Sequence, residues 1–133
     1  MEVIGNGVDI IEVRRIKNAI DKYSQGFLKR IFTDRELEKA KEHNSDFYQH
    51  LAGRFAAKEA VFKGFGKVKL NFRDVEVAND KDGKPYCSLL NGNQDNPRPY
   101  MQGLGRFNIH ISISHIKNYA VASAIITQET SDS

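Results

Sequence analysis

The sequence predicts an α+β fold in which an antiparallel sheet packs against one long helix, and three observations carry that prediction. Residues 3–11 form a largely apolar, β-branched run interrupted by Gly5, Asn6 and Gly7, the pattern of a strand. Across residues 45–66, Phe47, Leu51, Phe55, Phe62 and Phe65 recur at helical steps and predict a buried stripe on a long helix. Residues 108–115 alternate polar and apolar side chains strictly, and 119–127 supply a second apolar strand after a turn at Lys117 and Asn118. A strand, then helices, then strands is the order of an α+β domain.

The remaining elements follow in order. Asp9-Ile10-Ile11-Glu12 has the acid-x-x-acid spacing of a helix start. Residues 12–23 then read as a helix with Val13, Ile16 and Ile20 on one face. Arg14, Arg15, Lys17 and Lys22 fall mostly on other faces and make a basic surface. A short helical piece spans 27–32, and Thr33-Asp34-Arg35-Glu36 is a capping box for a helix running to about His43. The long helix ends at Gly66, a residue suited to a helix C-terminus. Residues 75–78 and 85–90 read as strands joined by a turn at Asp82-Gly83, and 91–107, rich in Asn, Gly and Pro, reads as a loop.

With 133 residues the chain fits a single domain, 1–128, followed by a frayed polar tail at 129–133. Its net charge of +3 favours anionic partners without choosing among them. Cys87 is the only cysteine, which excludes intrachain disulfides and cysteine-based zinc sites. No signal peptide is visible, and no stretch approaches the roughly 18 apolar residues of a membrane span, so a cytoplasmic protein is expected.

Chemistry concentrates on the long helix. Glu59 lies beside the apolar stripe, with Ala52 and Ala56 on the same side leaving a low surface that could admit a ligand. Lys63 shares its edge, while His50, Arg54 and Lys58 form an adjacent cationic column. A carboxylate in cationic surroundings suits a metal–phosphate site, since magnesium takes one or two carboxylates plus phosphate oxygens and water. The same residues also read as an i,i+4 Glu–Lys pair on a solvated face. Asp9, at a strand end, is either a second metal ligand or a helix N-cap. Ser112, Ser114 and His115 lie at the end of a strand with no nucleophile elbow around either serine. They read as a hydrogen-bonded turn or as phosphate and ribose contacts. Gly5-Asn6-Gly7 lacks the lysine and spacing of a P-loop, and reads as a place where backbones pack closely.

Five motifs in register resemble the holo-acyl-carrier-protein synthase family of small phosphopantetheinyl transferases. Gly5-Asn6-Gly7-Val8-Asp9-Ile10 is similar to the family's N-terminal strand, and Phe32-Thr33-x-x-Glu36 to its second landmark. Arg54-Phe55-Ala56-Ala57-Lys58-Glu59-Ala60-Val61-Phe62-Lys63 matches its most specific helix. Gly83-Lys84-Pro85 is similar to its turn, and Ser112-Ile113-Ser114-His115 to its closing strand. The resemblance implies the phosphopantetheinyl transferase fold and a magnesium-dependent transfer of 4′-phosphopantetheine from coenzyme A to a serine of an acyl carrier protein. It further implies Asp9 and Glu59 as magnesium ligands and Lys63 at the coenzyme A pyrophosphate. Arg54, Ser114 and His115 fall at positions similar to those lining the nucleotide and its 3′-phosphate. Lys58 matches the motif as either a coenzyme A contact or a support of the helix, and Arg14 and Arg15 fall at the surface that docks the carrier. A homotrimer with sites between protomers is implied as well. Two places depart from the family pattern: Ile116 stands where relatives have a small polar residue, and 91–107 aligns poorly. The competing expectation, from the basic charge alone, is a non-catalytic RNA- or protein-binding module.

Overall fold

Residues 1–66, 70–90 and 107–129 are described by the computed structural model of the chain. Strand β1 (Glu2–Glu12) leads into α1 (Val13–Ile31), α2 (Asp34–Lys41) and the long α3 (Phe47–Phe65). A short 3-10 turn (Phe72–Asp74) precedes β2 (Val75–Asn79) and β3 (Pro85–Leu89), and β4 (Phe107–His115) and β5 (Tyr119–Gln128) follow. β5 is the central strand of an antiparallel sheet ordered β1-β5-β4, while β2 and β3 form a separate hairpin. The expected α+β arrangement is therefore present, with α3 lying across the sheet.

Period-2 alternation sorts the sheet into two faces. Ala120, Ala122, Ala124 and Ile126 of β5 are buried toward α3, with Phe107 and Ile111 of β4 beside them. From β1 it is Gly5 and Gly7 that meet the helix. A Cβ on Gly5 would sit 1.9 Å from the Gly64 carbonyl oxygen, and one on Gly7 would sit 2.1 Å from that of Ala60. The two backbones touch because neither glycine carries a side chain, as the motif suggested. Gly7→Ala is expected to push β1 off α3 and destabilise the fold by about 1–3 kcal/mol, read as a lower urea midpoint. An unchanged midpoint would mean that this contact does not set the strand–helix spacing.

The helices depart from expectation at their ends. β1 keeps its register with β5 as far as the Glu12–Tyr119 pair, so the acid-x-x-acid segment stays in the strand and α1 begins only at Val13. The Glu12 side chain makes no cap bond, and the Val13 N–H donates instead to the Asn118 carbonyl, at 2.9 Å. The two helical pieces expected over 12–23 and 27–32 are one element kinked at Ser24, whose φ of 52° and ψ of −131° break the helix. The Thr33–Glu36 capping box forms as read, although α2 stops at Lys41 rather than His43.

The largest difference concerns α3. A single buried stripe was expected, but β2, α1 and α2 cover the side that the sheet leaves open. The helix is therefore buried around most of its girth, including Ala52, Ala56, His50, Arg54 and Lys58. Ala52 and Ala56 leave no ligand surface and pack in the core. The phenylalanines of the expected stripe are only partly buried and pack on other rings: Phe55 stacks on Phe72 with centroids 5.4 Å apart, and Phe62 meets Phe72 edge-on at 5.0 Å. The loop at 91–106 and the tail beyond Glu129 lie outside the described residues.

Candidate active site

The close β1–α3 packing brings the end of one motif onto the side of another. The Lys63 ammonium donates to the Val8 carbonyl at 3.0 Å and to Asp9 Oδ1 at 3.1 Å. Asp9 therefore caps no helix; it alternates inward from the strand and meets α3. Glu59, one turn before Lys63, feels the same group. Burial raises its carboxyl pKa above the ordinary 4.5, repulsion from Asp9 raises it further, and Lys63 works in the opposite direction. Lys63 pairs with Asp9 and not with Glu59, so the i,i+4 surface pair is not the arrangement found among the described residues.

Asp9, Glu59 and Lys63 thus form one electrostatic cluster, the ammonium bonded to Asp9 and attracting Glu59 while the two carboxylates repel each other. Such a cluster has room for additional positive charge. No third His, Cys, Asp or Glu joins them as a metal ligand among the described residues. An all-oxygen pair of this kind fits a hard cation that draws its remaining ligands from water and substrate.

The cationic column divides into three different environments. Lys58 is 0% exposed, and its three N–H donors go to Glu36 Oε1 at 2.8 Å, the Phe72 carbonyl at 2.9 Å and the Val75 carbonyl at 2.6 Å. Every donor is taken by the protein, so of the two roles open to Lys58 the structure has the supporting one and not the coenzyme A contact: it is an interior ion that ties α3 to α2 and β2. Arg54, 7% exposed, donates from its guanidinium to Asn79 Oδ1 at the end of β2. His50 is not cationic at all. Burial, then the charges of Arg54 and His43, push its pKa down to about 3 against the pull of Asp46, and His115 adds to the lowering. Its ring stacks on His43 with centroids 4.3 Å apart.

Ser114 and His115 turn to opposite faces. His115 pairs with Ala120 on the helix side, where a Cβ on Gly53 would lie 3.8 Å from its ring. Ser114 pairs with Val121 on the open face of the sheet. Among the described residues no hydrogen bond or ion pair joins either of them to Asp9, Glu59 or Lys63. Arg14 and Arg15 are exposed at the start of α1, Arg14 pairing with Glu12 at 3.4 Å. Sequence reasoning missed Asn79 as a partner of Arg54 and Glu36 as more than a cap; nothing in either residue's spacing signals a contact across the fold.

Known proteins share this arrangement of elements. The 4′-phosphopantetheinyl transferase superfamily matches residues 5–124. A holo-[acyl-carrier-protein] synthase of Clostridium tetani is 43% identical over 129 residues, covering 96% of this chain and 98% of the relative. A second, from Vibrio atlanticus, is 36% identical and covers 95% of this chain and 98% of its own length. Among solved structures, a holo-(acyl-carrier-protein) synthase from Bacillus anthracis in complex with CoA (3′,5′-ADP) superposes with a TM-score of 0.77 at 35% identity, over 97% of this chain and 100% of that one. The Helicobacter pylori holo-[acyl-carrier-protein] synthase in complex with coenzyme A gives 0.74 at 28% identity, over 92% and 99%. The match runs from the β1 glycines through the acidic and basic residues of α3 to β5, and by it the chain belongs to the 4′-phosphopantetheinyl transferase superfamily.

Proposed function

We propose that this chain transfers the 4′-phosphopantetheine group of coenzyme A to a serine of apo acyl carrier protein, releasing 3′,5′-ADP. The observation that carries the proposal is the meeting of Asp9 with Lys63 beside Glu59, in a chain whose relatives are named holo-[acyl-carrier-protein] synthases. In the reaction the serine Oγ forms a bond to the pantetheine-bearing β-phosphorus, and the bond from that phosphorus to the oxygen of the departing 3′,5′-ADP breaks. The serine proton goes to a base, for which Glu59 or a water held at the same site is the candidate. Lys63, anchored by Val8 and Asp9, sets a fixed positive charge beside the pyrophosphate.

Asp9 and Glu59 would hold a magnesium ion, their charge being only half offset by Lys63. When bound, the ion supplies charge stabilisation for the pyrophosphate oxygens. The exposed Arg14 and Arg15 suit an acidic carrier protein. The open sheet face supports assembly into a homotrimer. Val8 and Ile10 are 60% and 66% exposed there, with Tyr119, Val121 and Ile125 alongside, an apolar area that further copies of the chain would cover. Ser114 on that face would then contribute to a site shared between protomers. No helix among the described residues is long and apolar enough to cross a membrane, and a cytoplasmic location completes the proposal. A nucleic-acid module has less support, because Phe55 and Phe62 pack against Phe72 and offer no stacking platform.

Intact mass spectrometry of apo acyl carrier protein incubated with the chain, coenzyme A and magnesium is the direct test. A gain of one phosphopantetheine group is expected, lost in EDTA and restored by excess magnesium. A gain that survives EDTA would remove the metal from the proposal, and no gain across several carriers would remove the activity.

A further inference from the structure

We infer that Asn79 is a positioning residue which holds the Arg54 guanidinium in place while leaving its charge free for a phosphate of coenzyme A; the inference rests on the function proposed above. Arg54 and Lys58 lie one turn apart on the same side of α3, both buried and both facing β2, yet they are treated differently. Lys58 has a carboxylate, Glu36, at 2.8 Å. Arg54 forms no ion pair among the described residues, and its partner is the neutral amide of Asn79. Buried cations are ordinarily paired, because an uncompensated charge inside a protein is costly. Burial correspondingly lowers the proton affinity of Arg54, and Glu36 opposes this only in part.

The amide is itself held. A guanidinium can only donate, so Asn79 must present its oxygen to Arg54. Its Nδ2 then donates to the Gly83 carbonyl at 2.8 Å. That carbonyl belongs to a tightly built turn. Asp80 Oδ1 accepts from the backbone N–H groups of Asp82 and Lys84, each at 2.9 Å, and Gly83 takes a φ of 87° that suits glycine. Arg54 is thus keyed through Asn79 to a rigid hairpin turn. An aspartate of nearly the same shape would keep the bond to Arg54 and cancel its charge, but it could not donate to Gly83; asparagine makes both bonds and leaves the charge.

The test compares Asn79→Asp, Asn79→Ala and Arg54→Gln in the full-length protein, with coenzyme A and 3′-dephospho-coenzyme A as substrates. Asn79→Asp is expected to leave Tm nearly unchanged, the ion pair gained with Arg54 offsetting the Gly83 bond lost, while raising KM for coenzyme A about tenfold, the size of one charge-assisted hydrogen bond. Its KM for 3′-dephospho-coenzyme A should move much less, and kcat should fall far less than KM rises. A residue with only a structural role would not combine a preserved Tm with lost affinity. Asn79→Ala, which removes the acceptor without adding charge, should raise KM for coenzyme A with a lower Tm. If Arg54→Gln leaves KM for coenzyme A unchanged while transfer proceeds, Arg54 does not meet the ligand and the inference fails, although the proposed transfer stands. If Arg54→Gln raises KM while both Asn79 variants leave it unchanged, Arg54 meets the ligand and the role of Asn79 is overturned.

Discussion

Replacing Glu59 by glutamine is expected to lower carrier-protein modification on the order of 10³-fold, the range seen when a single group that stabilises transition-state charge is removed. The fold should survive. Glu59 is only partly buried, its side chain enters none of the ion pairs among the described residues, and glutamine has nearly its shape. Loss of a charge that repels Asp9 removes an unfavourable interaction. The sign of its pH dependence follows. Because the folded carboxyl pKa lies above 4.5, the stabilising contribution of this group is fully present below that pH and is lost as pH rises through the folded pKa. Glu59→Gln should remove that decline. In metal-free protein, Asp9→Asn should lower the Glu59 pKa in a carboxyl NMR titration, since repulsion from Asp9 is one of the causes raising it. Near-parental turnover by Glu59→Gln would exclude Glu59 as both base and metal ligand. An unmoved Glu59 titration in Asp9→Asn would show that the two carboxylates do not form one cluster.

What was legible in the sequence is what local geometry decides. The Thr33–Glu36 capping box closes within four residues, and both its bonds are present, at 3.2 and 2.8 Å. The strict alternation of 108–115 becomes β4, and it already places Ser114 and His115 on opposite faces, although their shared motif invites reading them as one contact group. The glycines of β1 signalled close packing but could not say against what; Gly64, equally bare, is the answer. The meeting of Asp9 with Lys63 joins residues 54 positions apart and depends on that packing. The α3 cations were misread for a related reason. Helical periodicity says which side chains share a face, but not what lies over that face. Here β2 and α2 cover it, and charges that would be solvated on an isolated amphipathic helix become interior ones.

Lys58→Met is expected to destabilise the fold by about 3–5 kcal/mol, the cost of leaving the partner of a buried ion pair without its counter-charge. Glu36 is that partner, and it is committed on every side. Oε1 accepts from Lys58 and from the Thr33 N–H at 2.8 Å, and Oε2 accepts from the Val77 N–H at 2.7 Å. Thr33 Oγ1 passes the network on to Glu76 at 2.7 Å, which Arg35 reaches at 3.2 Å. Methionine fills most of the lysine's volume, so the loss should come from charge and hydrogen bonds rather than from a cavity. The urea midpoint should fall with little change in slope. Adding Glu36→Gln should make the double variant less destabilised than the sum of the two single changes, by roughly 0.5–3 kcal/mol. Strict additivity would show that the pair is not coupled. The chemistry should be spared, because Lys58 faces β2 whereas Lys63, with Glu59 beside it, reaches β1. Below its melting range the folded variant should therefore keep its KM for coenzyme A. A raised KM together with undiminished stability would return Lys58 to the ligand and take it out of the interior network.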